Sequence, residues 1–163
     1  MNKPQVGSIA PNFALVASNG RQVSLEHYYG RKNVVLYFYP KDDTEGCIKE
    51  ACGFREVMDD LFESDTVVLG ISPDNLHSHQ RFVAKYYLPF LLLCDSETNV
   101  SRQYGIWGEK LVYGKKTMGI CRTTFIVNKE GKIAKIFEKV KPAEHAKEVL
   151  SYIKTLNRLT VAV

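Results

Sequence analysis

Apolar runs of strand length alternate along the chain with stretches in which apolar residues recur every three or four positions. Three of the runs are almost continuously apolar: Asn33 to Tyr39, Thr66 to Ile71, and Phe90 to Leu93. Such runs are typical of strands that are buried on both faces of a parallel sheet. The stretches between them have the period of helices that pack one face on a core. The pattern therefore predicts an α/β protein.

Helices are predicted at five places from this period and from capping residues. They cover 25–29, 44–62, a segment that begins within 72–74, 98–104, and 142–157. The second helix follows Pro40, which ends the preceding strand, and has Asp43 or Thr44 as its N-cap. The last helix begins at Pro142, because proline is favoured at the first position of a helix.

Turn residues between apolar runs predict two hairpins. Asn19-Gly20 is a strong hairpin signal within 12–24, and the turn 128–131 joins Thr123–Val127 to Ile133–Phe137. The Gly-rich stretch 105–119 is predicted to be irregular. This order of elements fits a thioredoxin-like fold, in which a central mixed β-sheet is flanked by helices and preceded by an N-terminal β-hairpin extension. We expect a single domain over residues 1–163.

Composition and charge favour an ordinary soluble domain and argue against a nucleic-acid-binding or membrane protein, but they do not identify an activity. With 163 residues, of which 45% are hydrophobic and 25% charged, the chain suits one ordinary soluble core. The formal net charge is +4 and the charges are interleaved, so no nucleic-acid or membrane face is predicted. No apolar run approaches the ~20 residues of a membrane span. The polar N-terminus does not resemble a secretory signal, which predicts a cytoplasmic location.

Cys47 occupies the most informative position among the four cysteines. In a cytosolic chain of this size, cysteines are more often buried, metal-binding or redox-active than part of a disulfide framework. Cys47 follows a buried strand by one tight loop and lies in the first turn of the predicted helix. A helix N-terminus has unpaired N–H groups and a partial positive charge, which favour a thiolate. Thr44 shares that helical turn, and Gly46 leaves the backbone open to a small substrate.

Thiolate formation alone does not make an efficient catalyst. A free thiol with a pKa near 8.5 is only ~3% ionised at neutral pH, so a pKa of ~6 gains ~30-fold at most, which is about 2 kcal/mol. The remainder must come from donors that position the substrate and stabilise charge on a departing atom. Thr44 is one candidate, and an arginine is the natural second.

A metal site is the weaker interpretation of the cysteines and histidines. The spacing of Cys47 and Cys52 begins a ferredoxin pattern, but Arg55 stands where a third cysteine is needed. His77 and His79 are ~200° apart around a helix and face opposite ways, and the other two histidines are isolated. The chain also lacks a Cys-x-x-Cys pair, so neither a metal nor a thioredoxin-type reductase is predicted.

The segment from Tyr37 to Cys47, YFYPKDDTEGC, resembles the active-site segment of peroxiredoxins, which has the pattern Pro-x-x-x-Thr-x-x-Cys. Other short segments resemble those of the bacterioferritin-comigratory (Q-type) subfamily and extend the resemblance from residue 10 to about 130. These segments are Ala10-Pro11-x-Phe13, Gly70-Ile71-Ser72-Pro73-Asp74, Leu88-Pro89-Phe90, Tyr104-Gly105-x-Trp107-Gly108-Glu109-Lys110, and Gly119-Ile120-Cys121-Arg122-x-Thr124-Phe125-Ile126-Val127. One departure is Glu45, where relatives usually have proline, and its carboxylate would partly oppose a thiolate.

The resemblance implies an antioxidant thiol peroxidase that reduces hydrogen peroxide and alkyl hydroperoxides. Cys47 is implied to be the peroxidatic cysteine, which becomes a sulfenic acid. Thr44 is implied to hydrogen-bond the thiolate and the peroxide, and Arg122 to orient the thiolate and stabilise the transition state. Pro40 is implied to shield the sulfenic acid from water, and Cys52 to resolve it as a disulfide. Thioredoxin is the implied reductant, a monomer is expected, and no metal, haem or flavin is implied.

A disulfide between Cys47 and Cys52 is not compatible with an intact helix. Residues five apart on an ideal helix have Cα atoms roughly 8–9 Å apart, whereas a disulfide allows at most ~6.8 Å. Cys47 and Cys52 can therefore bond only if the first turns of the helix unwind after oxidation. Cys52 remains open as a spectator, with resolution from another helix or a second molecule. A redox-sensing or chaperone-like protein in which Cys47 turns over slowly also remains open. Cys94 and Cys121 are predicted to be structural.

Overall fold

The computed structural model describes residues 3–161. Within that range the chain forms β1 (Ala14–Val16), β2 (Gln22–Ser24), β3 (Asn33–Phe38), α1 (Glu45–Glu63), β4 (Thr66–Ser72), α2 (Leu76–Tyr86), β5 (Leu91–Cys94), α3 (Asn99–Gln103), β6 (Trp107–Val112), β7 (Lys115–Ile120), β8 (Thr123–Val127), β9 (Ile133–Glu138) and α4 (Pro142–Val161). A short 3-10 helix, Leu25–Tyr28, lies between β2 and β3. The predicted strands and helices are all present with small shifts at their ends. Helix α4 extends beyond residue 157 to Val161, and α2 begins at Leu76, after the predicted start within 72–74.

Five strands form the central sheet in the order β5-β4-β3-β8-β9. Strand β3 pairs parallel with β4, and β4 pairs parallel with β5. Strand β8 is antiparallel to both β3 and β9. The predicted mixed sheet is confirmed. All six residues of the central strand β3 are buried, as its continuous apolar run predicted.

Alternate side chains of β3 face two separate layers of the core. Val34, Leu36 and Phe38 belong to the layer that includes residues of the N-terminal hairpin and α3. Val35 and Tyr37 belong to the layer formed with α1, α2 and α4. Because successive residues of a strand point to opposite faces, one strand anchors both layers. This packing places the first turn of α1 against the sheet, just after β3 ends.

The stretch 105–119 was predicted to be irregular, and that prediction is wrong. Strands β6 and β7 form an antiparallel hairpin in a separate two-stranded sheet. Its turn is Tyr113-Gly114, whose φ angles of 51° and 78° are both positive, as a tight two-residue hairpin turn requires. The hairpin projects from the core, with Leu111 and Tyr113 exposed. Its strands therefore lack the alternation of apolar and polar residues that a half-buried strand shows.

Among residues 3–161, no helix is both long and apolar enough to cross a membrane.

Candidate active site

Cys47 lies at the start of α1 and is enclosed by the core. Strand β3 ends at Phe38, the loop turns after Pro40, and α1 begins at Glu45. Cys47 is the third residue of the helix, where backbone N–H groups have no partner within the helix, and only 1% of its surface is exposed. The sulfur therefore lies at the positive end of α1, as the sequence predicted. The Glu45 side chain is largely exposed and pairs with Lys49 at 3.2 Å.

The Arg122 guanidinium connects the Cys47 sulfur to a buried carboxyl group. Its Nη2 donates to Cys47 Sγ at 3.0 Å, and its Nη1 donates to Glu50 Oε1 at 2.9 Å. Arg122 lies in the two-residue link between β7 and β8, so the sheet sets its position. A fixed positive charge at this distance favours a thiolate over a thiol.

Gly46 allows the arginine to approach this closely. A Cβ added at Gly46 would lie 2.8 Å from Nη2 of Arg122 and 3.5 Å from the Pro142 ring. The first contact is shorter than real Cβ contacts, so a side chain here would displace the guanidinium. The glycine is thus explained by the arginine as well as by access for a substrate.

Glu50 is a site residue that sequence analysis missed. Its side chain is 1% exposed, and its second carboxyl oxygen is buried without a hydrogen-bond partner among the described residues. Burial raises the pKa of Glu50 to about 7, although Arg122 acts in the opposite direction. Glu50 follows Cys47 by three residues, so the two share one face of the helix. That spacing was the available signal, but a lone glutamate in a helix ordinarily faces water.

Thr44 and Pro40 flank the cysteine from the loop. Thr44, one of the two predicted candidates, is the N-cap residue of α1, but its hydroxyl makes no capping bond. The hydroxyl instead donates to the carbonyl oxygen of Lys41 at 2.9 Å, which leaves its own lone pairs available to an incoming donor. Pro40 is half-buried directly after Tyr39.

Cys52 is half-buried in the same continuous helix, and Cys47 and Cys52 are both free thiols. The helical spacing of five residues keeps them roughly 8–9 Å apart at Cα. Cys94 and Cys121 are also free and half-buried, less enclosed than core residues. Burial raises the pKa of Cys94, with Asp42 and Asp74 adding to the effect. The structure thus brings Cys47 and Arg122 into contact and leaves Cys52 in the helix.

Comparison with known proteins now gives the family. The sequence pattern that defines the AhpC/TSA family matches residues 6–136. The chain belongs to this family.

The peroxiredoxin has close relatives over nearly its whole length. It is 50% identical to a putative peroxiredoxin Bcp of Coxiella burnetii. The alignment extends over 146 residues and covers 90% of this chain and 96% of that protein. The bacterioferritin comigratory protein of Xanthomonas campestris has a TM-score of 0.84 and 35% identity, over 89% of this chain and 92% of that one. PrxQ of Xylella fastidiosa has a TM-score of 0.88 and 31% identity, over 95% of this chain and 98% of that one.

These relationships define the fold and the activity. The central mixed sheet with its flanking helices is the thioredoxin-like fold of the peroxiredoxins, and the resemblance found in the sequence is confirmed. The protein is a thiol-dependent peroxidase.

Proposed function

We propose that Cys47 is the peroxidatic cysteine of this peroxiredoxin and that Arg122 is its principal partner. The observation that carries the proposal is the hydrogen bond of 3.0 Å from Arg122 Nη2 to Cys47 Sγ. It joins a guanidinium to a sulfur at a helix N-terminus, and both features stabilise a thiolate. The other cysteines lack such a contact among the described residues.

The first step is attack of the Cys47 thiolate on one oxygen of the peroxide. An S–O bond forms, the O–O bond breaks, and Cys47 becomes a sulfenic acid. The departing oxygen leaves as hydroxide or alkoxide and takes a proton from water. Arg122 is the donor that stabilises this developing charge. The Thr44 hydroxyl, which donates to Lys41, accepts a hydrogen bond from the peroxide and so helps to hold it. Pro40 shields the sulfenic acid from water at the mouth of the site.

The second step forms a disulfide between Cys47 and Cys52. The Cys52 thiol attacks the sulfenic sulfur, an S–S bond forms, and the hydroxyl leaves as water. This step requires the first turns of α1 to unwind, because the intact helix separates the two residues. The same motion brings the enclosed Cys47 sulfur to the surface, where a reductant can reach it.

Thioredoxin is the proposed reductant, and its two thiols reduce the disulfide to two cysteines. Alkyl hydroperoxides are proposed as substrates together with hydrogen peroxide, since the Xanthomonas relative has alkyl peroxide reduction activity. An intramolecular disulfide makes a second chain unnecessary, so the protein acts as a monomer. It acts in the cytoplasm, where thioredoxin keeps thiols reduced.

Intact-mass analysis with peptide mapping tests these roles. One equivalent of hydrogen peroxide should remove two hydrogens from the reduced protein and yield a peptide that links Cys47 to Cys52. In Cys52→Ser, Cys47 should instead gain one oxygen, and Cys47→Ser should show neither product. Cys94→Ser is the matched control and should behave as the wild type does.

A linkage of Cys47 to Cys94 or Cys121 would overturn the role of Cys52. Oxidation of another cysteine first would overturn the role of Cys47. Steady peroxide consumption with thioredoxin and its reductase is expected. A single turnover without further consumption would contradict thioredoxin as the reductant.

A further inference from the structure

A buried polar network lies behind the loop that leads into α1. The Asp42 carboxylate accepts hydrogen bonds from the Tyr39 hydroxyl at 2.6 Å and the Ser78 hydroxyl at 2.8 Å. Its Oδ2 also lies 2.7 Å from Nδ1 of His79. His79 is fully buried in α2, and 7% of Asp42 is exposed. The peroxidase steps described above do not use this network.

Both ring nitrogens of His79 lie within hydrogen-bond distance of an oxygen atom. Its Nδ1 faces the Asp42 carboxylate, and its Nε2 lies 2.9 Å from the carbonyl oxygen of Leu93. Both neighbours are acceptors, so both ring nitrogens must donate. Asp42 already accepts two hydroxyl donors, which is the arrangement of an ionised carboxylate. This geometry fits an imidazolium that donates to a carboxylate, with both groups buried.

A metal ion does not explain this cluster better. The ligand atoms of Asp42, Asp74 and His79 lie within 4.8 Å of one another. However, Asp74 Oδ2 accepts from the Asp42 backbone N–H at 2.8 Å and from the Ser72 hydroxyl at 2.6 Å. The closest carboxylate and imidazole atoms are already joined by a hydrogen bond. The cluster is satisfied by its own donors and acceptors.

The network holds a strained segment next to the active site. Asp43 has a φ of 59°, in the left-handed region that non-glycine residues seldom adopt. This turn lets Thr44 begin α1, and the Thr44 hydroxyl bonds to the Lys41 carbonyl on the other side of it. Asp42 thus anchors the middle of the segment that orients Thr44. Without the anchor, the turn can relax and carry the hydroxyl away from the Cys47 sulfur.

We propose that His79 is a positioning residue of this peroxidase: its buried imidazolium holds Asp42 and thereby places the Thr44 hydroxyl for the peroxide. The proposal rests on the roles proposed above for Cys47 and Thr44. It separates two properties of the site. The reactivity of the thiolate depends on Arg122 and the helix N-terminus, whereas the alignment of the peroxide depends on the loop.

Two reactions of Cys47 distinguish these properties in His79→Gln. Alkylation by iodoacetamide needs only the thiolate, while oxidation by hydrogen peroxide also needs the Thr44 hydroxyl aligned to accept a hydrogen bond from the peroxide. We expect the oxidation rate constant to fall about 10- to 100-fold, as displacement of an aligned group by ~1 Å does, and alkylation to change less than about threefold. Asp42→Asn should show the same split. Equal losses in both reactions, or no loss in either, would overturn the proposal.

Asp43→Asn is the matched control. Asp43 lies in the same loop and also ties it to α2, through Lys85 at 2.8 Å and Tyr86 at 3.0 Å, but these bonds are exposed. Asparagine tolerates the left-handed conformation. Its oxidation rate should stay within about twofold of the wild type, because exposed ion pairs contribute little. A loss as large as that of His79→Gln would show that the effect is not specific to the buried network, which would overturn the proposal.

Nitrogen-15 NMR of histidine-labelled wild-type protein tests the imidazolium without a variant. Both ring nitrogens of His79 should have the chemical shifts of protonated nitrogens at neutral pH, while the exposed His77 provides the internal reference. One unprotonated ring nitrogen in His79 would overturn the proposal even if the variants fail to fold. If wild-type Cys47 did not react first with peroxide, the proposed function would fail instead, and the NMR result would stand apart from it.

Discussion

At the scale of single residues, the site is a chain of two hydrogen bonds that runs from a sulfur through a guanidinium to a carboxyl group. Arg122 donates to Cys47 at 3.0 Å and to Glu50 at 2.9 Å. Both of these partners are almost fully buried. A guanidinium suits this position because its planar fork can donate to two groups at once. Glu50 holds that fork in place, but its own charge is costly so deep in the protein.

The raised pKa of Glu50 predicts a pH dependence of stability. The pKa rises from 4.5 to about 7 on folding, so the folded state holds the proton more tightly than the unfolded state does. Its contribution to stability is fully present below about pH 4.5 and is lost as pH rises through about 7. In the Cys47→Ser background, which removes the thiol, Glu50→Gln should abolish this loss. We expect a difference of roughly 2–3 kcal/mol between the two profiles.

Urea unfolding at about pH 5 and pH 8 measures the effect. The variant should become more stable relative to its parent as pH rises, because glutamine keeps an acceptor for Arg122 and never ionises. All other titrating groups cancel in the comparison. Profiles that run parallel across this range would show that Glu50 does not titrate there.

At the scale of elements, α1 carries both proposed redox cysteines and depends on its neighbours for its position. Its inner face packs on the sheet and α4 in a layer that includes Cys47, Phe54 and Leu61. For the proposed disulfide to form, the turn that contains Cys47 must also be the part that unwinds. The helix therefore combines a firmly packed body with a first turn held mainly by Arg122 and the preceding loop.

Gly46→Ala should separate helix stability from activity. Alanine is favoured over glycine in a helix by about 1 kcal/mol, so thermal stability should not fall by much. The added Cβ would meet Nη2 of Arg122 at 2.8 Å, and displacing a donor of this kind costs about 100-fold in rate. Stopped-flow oxidation of Cys47 by hydrogen peroxide measures the loss.

Gly53→Ala is the control for this prediction. Gly53 lies in the same helix, and its added Cβ would meet only Ala146 Cβ, at 3.3 Å. Its oxidation rate should stay close to that of the wild type. If Gly46→Ala kept the wild-type rate, close approach of Arg122 would not be required.

At the scale of the whole molecule, His145 joins four elements within the core. Its Nε2 lies 2.7 Å from the Thr124 hydroxyl of β8, and its Nδ1 lies 2.7 Å from Glu148 of α4. Its ring packs against Phe54 of α1 and Phe137 of β9. Burial lowers the pKa of His145 below its usual 6.5, with Glu148 acting in the opposite direction.

This lowered pKa predicts that His145 weakens the fold in acid. Below about pH 6.5 the unfolded chain binds a proton that the folded protein resists, so stability falls as pH drops. His145→Gln should remove this part of the acid loss, whereas Glu148→Gln should deepen it. Unfolding free energies at about pH 7.5 and pH 5.5 give the test. An unchanged acid loss in His145→Gln, or a smaller one in Glu148→Gln, would contradict it.

Prediction from sequence succeeded where the signal was local and failed where it depended on packing. The strand before Cys47, an N-cap at Asp43 or Thr44, and the position of Cys47 in the first helical turn all followed from neighbouring residues. Glu50 was missed because nothing local distinguishes a buried glutamate from a solvated one. His79 was considered only as a metal ligand, because its partner Asp42 is 37 positions away.

Local sequence was sufficient for the order of strands and helices, for the buried character of β3, and for a cysteine at a helix N-terminus. Periodicity, capping and turn residues act over a few positions, so they can be recognised without the fold. The tertiary structure alone decided that Arg122 and Glu50 meet beside Cys47, that Gly46 is needed for that approach, and that a distant helix holds the loop before it. These contacts depend on the pairing of β3 with β8 and on the packing of α1 and α2 against the sheet. Cys47 was evident from its place in the chain and Arg122 from the family resemblance, but the role of Glu50 as the second partner of Arg122 became evident only when the chain was folded.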